Sequence, residues 1–163
     1  MDVSCAIVNL DADACICDSQ RMTEPDQTTQ AAWIALMRTS RRLLEAVEAA
    51  LKSAGHPPVA WYDALLEIEK AGSEGVRPFE LTARLLLPQY GTSRLLDRMV
   101  NAELVERLDF VGDGRGQIVR ISEKGRLVRK AMWPIYACVL SEEVGAKLTL
   151  EEIVQLARLL SKL

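Results

Sequence analysis

The chain has 163 residues, of which 49% are hydrophobic and 5% aromatic, with a formal charge of −3. That length is one domain with a sizeable core, and that hydrophobicity excludes wholesale disorder. No apolar run approaches the ~18–20 residues of a membrane span, and no basic-then-apolar leader opens the chain, so neither membrane insertion nor a signal peptide is expected.

Residues 1–27 carry six acidic residues and one basic one, and three of the four cysteines: Cys5, Cys15 and Cys17. They read as an acidic extension, with Met22 as an alternative start that would leave residues 1–21 outside the fold unit. Cys15 and Cys17 are too close for an ordinary bridge in an extended strand, and the single histidine, His56, completes no familiar zinc spacing. A reducing cytoplasm is therefore expected, with no metal and no cofactor. Cys5, Cys15 and Cys17 are candidates for thiol sensing, although Asp11, Asp13 and Asp18 disfavour a thiolate there. Cys138 reads as a packed small hydrophobe.

From about Thr28 to Ser53, apolar residues recur at helical spacing, with Thr28 or Thr29 as cap and Gly55-His56-Pro57-Pro58 as stop. Such a helix is longer than a small domain needs, and a partner helix accounts for the surplus. A second helix follows Pro58 and ends at Gly72. A third starts at about Pro78, with proline in its first turn, and Pro88 ends it. A fourth starts within "QYGTSRLLDRMVNAE". It places Leu95, Leu96, Met99 and Val100 on one side, and Thr92, Ser93, Arg94, Asp97, Arg98 and Asn101 largely on the other.

The period then changes. "LVERLDFVG" and "QIVRIS" are strand-like and flank "DGRG", which predicts a β-hairpin. A long helix capped by Ser122 and bent at Pro134 is expected next, then an amphipathic helix capped by Thr149. Gly112, Gly114 and Gly116 lie between strands rather than between a strand and a helix, which argues against a phosphate cradle. No nucleophile set can be assembled around His56, and no constellation speaks for an enzyme.

Charge is unevenly placed. Arg84 to Lys130 holds ten basic and six acidic residues, a net of +4, against −7 for the remainder. A locally basic surface is what meets phosphates. Helix, helix, short connection, helix and hairpin is the order of a winged helix-turn-helix, whose second motif helix lies in the major groove and whose hairpin is the wing.

These residues resemble the MarR-type transcriptional regulators over roughly residues 28–163. "RPFELTARLLLPQYGTSRLLDRMVNAELVER" is similar to the family's helix-turn-helix, and "DGRGQIVRISEKGR" to its wing and the start of the helix that follows. The resemblance implies a fold that is mainly α with a small β-hairpin: a winged helix-turn-helix over about 57–121, with long terminal dimerisation helices at about 28–54 and 122–163. It implies a homodimer on double-stranded, pseudo-palindromic operator DNA, acting as a repressor released by a small aromatic or oxidant effector. DNA-binding roles fall to Gln89, Thr92, Ser93, Arg94, Arg98 and Arg115, with Asp113 orienting the wing. Trp33, Arg38, Trp61, Tyr62 and Asp63 are the candidate effector pocket, weighed against plain core and dimer packing. Two departures stand out. Gly114 replaces a common second wing arginine, and Glu103 replaces the glycine that usually ends the recognition helix, which questions its left-handed cap. A winged module that binds proteins and not DNA is the alternative.

Overall fold

The computed structural model describes residues 24–85, 91–109 and 116–163. Among the described residues, six α-helices and one hairpin follow in order: α1 (Gln27–Ser53), α2 (Val59–Lys70), α3 (Pro78–Arg84), α4 (Thr92–Asn101), β1 (Val105–Asp109), β2 (Gln117–Ile121), α5 (Glu123–Leu140) and α6 (Leu150–Leu160). The mainly helical class with one small hairpin is as expected. The chain divides into two compact units, Met1–Arg38 and Thr39–Leu163.

In the first unit α1 is capped at Asp26, two residues before the earlier of the two threonines. The Asp26 carboxylate accepts the Thr29 N–H at 2.7 Å, because Asp is the stronger cap and sits three residues before that donor. This bond holds the Asp26 carboxyl below its ordinary range. Trp33 and Arg38 are exposed.

Among the described residues, the second unit has two apolar clusters. The larger is built from Ala64, Leu65, Ile68, Leu81, Leu95, Leu96, Met99, Val105 and Val119, drawn from α2, α3, α4 and the hairpin. Each fully buried aliphatic side chain there contributes about 1.5–3 kcal/mol, so α4 is held by three side chains on one stripe. The smaller cluster joins Val47 and Leu51 of α1, Val59 and Tyr62 of α2 and Met132 of α5. Glu48 fixes the turn between α1 and α2: its carboxylate accepts the Val59 N–H at 2.8 Å, a cap that Pro58 has no side chain to supply.

The hairpin is antiparallel, with Val105 opposite Ile121 and Arg107 opposite Val119. Val76, just before α3, adds a short bridge to Val119. Gly75 is required beside it. Its φ is +72°, and a Cβ would lie 2.8 Å from the Val119 carbonyl oxygen. The predicted Ser122 and Thr149 caps are present, accepting from Gly125 N and Glu152 N. α5 runs unbroken through Pro134 to Leu140 and passes into a π-helical turn, Ser141–Gly145. Cys138 departs from expectation: it is exposed, and its thiol donates to Glu142 at 3.3 Å. That carboxylate pushes the thiol pKa up.

Candidate nucleic-acid interface

The second helix of the motif, α4, begins after Gly91, whose left-handed φ of +102° glycine adopts readily. Its apolar stripe of Leu95, Leu96 and Met99 is buried. Ser93, Arg94, Asp97, Arg98 and Asn101 are exposed together on the outer face. Thr92 is a correction. It is 7% exposed, and its hydroxyl is hydrogen-bonded to that of Thr82 at 2.9 Å, so it ties α4 to α3 instead of reaching outward. The first residue of the helix points back at α3 because α3 packs beside it, which periodicity within α4 does not reveal. Gln89, Asp113 and Arg115 lie outside the described residues, as do Cys5, Cys15 and Cys17.

Among the described residues, neither Arg94 nor Arg98 has an ion-pair partner. Asp97 is engaged, though with neither neighbour on its own helix. Arg107, from β1, places its Nη2 2.8 Å from the Asp97 carboxylate and 3.5 Å from the Ser93 carbonyl oxygen. Sequence reasoning missed Arg107 as a site residue. A carboxylate between two arginines on one helix invites pairing within that helix, but the partner comes from the strand that follows.

The end of α4 settles the question raised by Glu103. Glu103 takes the left-handed conformation at φ +62°. The Glu103 N–H donates to Val100 O at 2.8 Å and the Leu104 N–H to Met99 O at 2.9 Å, the two bonds of a Schellman cap. Lys124 donates to the Glu103 carboxylate at 2.8 Å and holds its carboxyl below the ordinary range. The Ser122 hydroxyl donates to the Glu103 carbonyl oxygen at 2.6 Å. These contacts hold a conformation that glycine adopts without steric cost. Glu103→Gly is therefore expected to raise the thermal midpoint by about 2 °C, because relief of strain outweighs the added freedom of the unfolded chain. A melting curve checks it, and a lower midpoint shows that the exposed carboxylate matters more than the backbone.

Of the candidate effector residues, Tyr62 and Asp63 are buried on α2, while Trp61 is half-buried against the larger core cluster. Tyr62 stacks on Tyr136 with centroids 5.0 Å apart and on Trp133 at 6.3 Å, both from α5. Burial, then the proximity of Tyr62 and Asp63, raises the Tyr136 phenol above its ordinary value. Trp61 thus belongs to a different cluster from Tyr62, because adjacent residues on a helix point about 100° apart. The α5 partners of Tyr62 were not legible from spacing within α2.

A MarR family model matches residues 57–116, from the start of α2 into the wing. Over those residues the chain matches the MarR family, and its winged helix-turn-helix fold is that of MarR-type structures. AbsC, a MarR family transcriptional regulator from Streptomyces coelicolor, is 25% identical, with a TM-score of 0.71 over 83% of this chain and 91% of that one. A mutant MarR from E. coli complexed with operator DNA is 23% identical, with a TM-score of 0.72 over 85% and 98%. The organohalide-sensing regulator RdhR-CbdbA1625, bound to 2,4-dichlorophenol, is 20% identical, with a TM-score of 0.71 over 87% and 85%. No curated protein matches the chain in sequence. MarR-type proteins are DNA-binding transcription regulators, not enzymes, and the function of this chain is of that kind.

Proposed function

We propose that two copies of this chain bind a pseudo-palindromic operator in the cytoplasm and repress transcription, and that a small aromatic or oxidant signal releases them. The observation that carries the DNA reading is the α4 face, where Arg94 and Arg98 stand exposed beside Ser93 on a helix pinned by Leu95, Leu96 and Met99. The two half-sites lie about one DNA turn apart, ~10 bp. Gln89, ahead of α4, and Arg115, in the wing oriented by Asp113, complete the DNA-binding set.

Pairing of two chains is supported by α6. It is amphipathic, yet none of its residues is buried, and Leu150 and Val154 are 78% and 61% exposed. A helix of 11 residues is marginal alone in water, so its apolar face needs a partner. The proposed organisation is an extension over residues 1–27, dimerisation helices at about 28–54 and 122–163, and a DNA-binding lobe at about 57–121.

Tyr62, stacked on Tyr136, and the buried Asp63 next to it are the candidates for an aromatic ligand with a polar group, and the dichlorophenol-bound relative supports that class. Trp33, Arg38 and Trp61 remain candidate effector residues in this proposal. Phenolic acids titrated against tryptophan fluorescence test it, and a flat response across a panel counts against it. A thiol signal would act through Cys5, Cys15 and Cys17; identical peroxide responses of wild type and Cys15→Ser/Cys17→Ser remove them from the mechanism.

The direct test is a gel shift with the intergenic DNA upstream of the protein's own gene. Arg115→Ala is expected to weaken that complex by about 1–3 kcal/mol for each wing that no longer reaches the minor groove. Unchanged affinity would falsify the wing assignment.

A further inference from the structure

Asp97 is an anionic group on the face that the proposed function turns toward an anionic polymer. Its side chain is 55% exposed, between Arg94 and Arg98 in sequence. Left unpaired, a carboxylate there acts twice against binding. It repels phosphates within the ~10 Å over which charge is felt at moderate salt. It also attracts Arg94, three residues earlier on the same helix and within ordinary i,i+3 reach, and so takes that guanidinium away from DNA.

The structure supplies a different partner. Arg107 rises from β1 with its side chain 29% exposed, held by the strand and not by long-range flexibility. Its Nη2 meets Asp97 at 2.8 Å and lies 3.5 Å from the Ser93 carbonyl oxygen, so one nitrogen faces both a side chain and the backbone of α4. A half-buried, strand-anchored arginine loses less freedom on pairing than a free surface one, which favours it over Arg94 in the competition for Asp97.

We infer that Arg107 is a positioning residue for DNA binding: it neutralises Asp97 and thereby leaves the Arg94 and Arg98 guanidinium groups available to DNA. This rests on the proposed docking of α4 on DNA. It assigns Arg107 a role that does not require it to touch DNA.

The role has a distinctive signature, since removing the carboxylate removes the need for the arginine. Binding is read by fluorescence anisotropy on a duplex of about 30 bp enriched by the wild-type protein from a random pool, with a thermal melt of every variant. Arg107→Gln is expected to weaken binding about tenfold. Asp97→Asn is expected to tighten it, and Arg107→Gln/Asp97→Asn to return to within about threefold of wild type. A double variant as weak as Arg107→Gln alone overturns the inference, because Arg107 then touches DNA itself or merely holds the hairpin. Wild-type affinity in Arg107→Gln overturns it as well. If Arg107→Gln fails to fold, Asp97→Asn carries the test, and weaker binding by that variant is the overturning result. Arg94→Ala separates the two levels: if it leaves affinity untouched, the docking of α4 itself fails. If it weakens binding while the double variant is not rescued, only the role of Arg107 fails.

Discussion

Gly125→Ala is expected to destabilise the fold by about 2–3 kcal/mol, a drop of roughly 5–10 °C in thermal midpoint. Helix propensity alone predicts the opposite sign, since alanine is favoured over glycine inside a helix by about 1 kcal/mol. Gly125 lies in the first turn of α5, is buried, and has ordinary helical backbone. Its reason is proximity. A Cβ there would sit 2.1 Å from the Leu104 carbonyl oxygen and 2.9 Å from Cγ1 of Ile121. Leu104 is the residue whose N–H closes the cap of α4, and its carbonyl accepts the Ser122 N–H at 3.0 Å. One methyl group would therefore push apart the exit of the recognition helix and the start of α5, and backbone cannot rotate away as a side chain can. A melt of the purified variant decides it. An unchanged or higher midpoint shows that the two elements slide apart without strain.

Removing both exposed arginines of α4, as Arg94→Ala/Arg98→Ala, is expected to reduce operator affinity at least about 100-fold, since each of two protomers gives up interactions of about 1–3 kcal/mol. The salt dependence sharpens the assignment. Taking away a cation that neutralises a phosphate lowers the slope of log K against log salt by about 0.9, whereas taking away a base-edge hydrogen bond lowers affinity at every salt with little change in slope. Titrations at three salt concentrations separate these roles for the single variants. The fold is not at stake, because both side chains are exposed and neither has an ion-pair partner among the described residues. Affinity and slope matching wild type would remove α4 from the interface.

Arg94 and Arg98 on one side and Gly125 on the other owe their roles to different ranges of interaction. The arginines are legible as a pair by counting along one helix: the period places them opposite Leu95, Leu96 and Met99 once a helix is recognised. Gly125 is not. Its neighbours are Leu104 and Ile121, brought to it by the hairpin, and nothing within "SEKGR" distinguishes a glycine crowded by another segment from one that merely tolerates a helix. The same division separates Ser122 and Thr149, whose capping roles are local and read directly, from Thr92, whose hydroxyl is claimed by Thr82 of the preceding helix.

Local chemistry in the chain was enough to specify the elements, their order, the change from helical to strand period after Glu103, and hence a winged lobe with a polar recognition face. Those features depend on residues a few positions apart, and the side chains alone encode them. Which side of that face works, and which residues support it, came from the packing of separate segments. Arg107 reaches Asp97 only because β1 folds back beside α4. Tyr62 finds Tyr136 only because α5 crosses α2, and Glu103 tolerates a left-handed backbone because Lys124 and Ser122 hold it from the next helix. Such pairings are set by the burial of apolar side chains from several elements together, which brings distant residues side by side with no trace in their spacing along the chain.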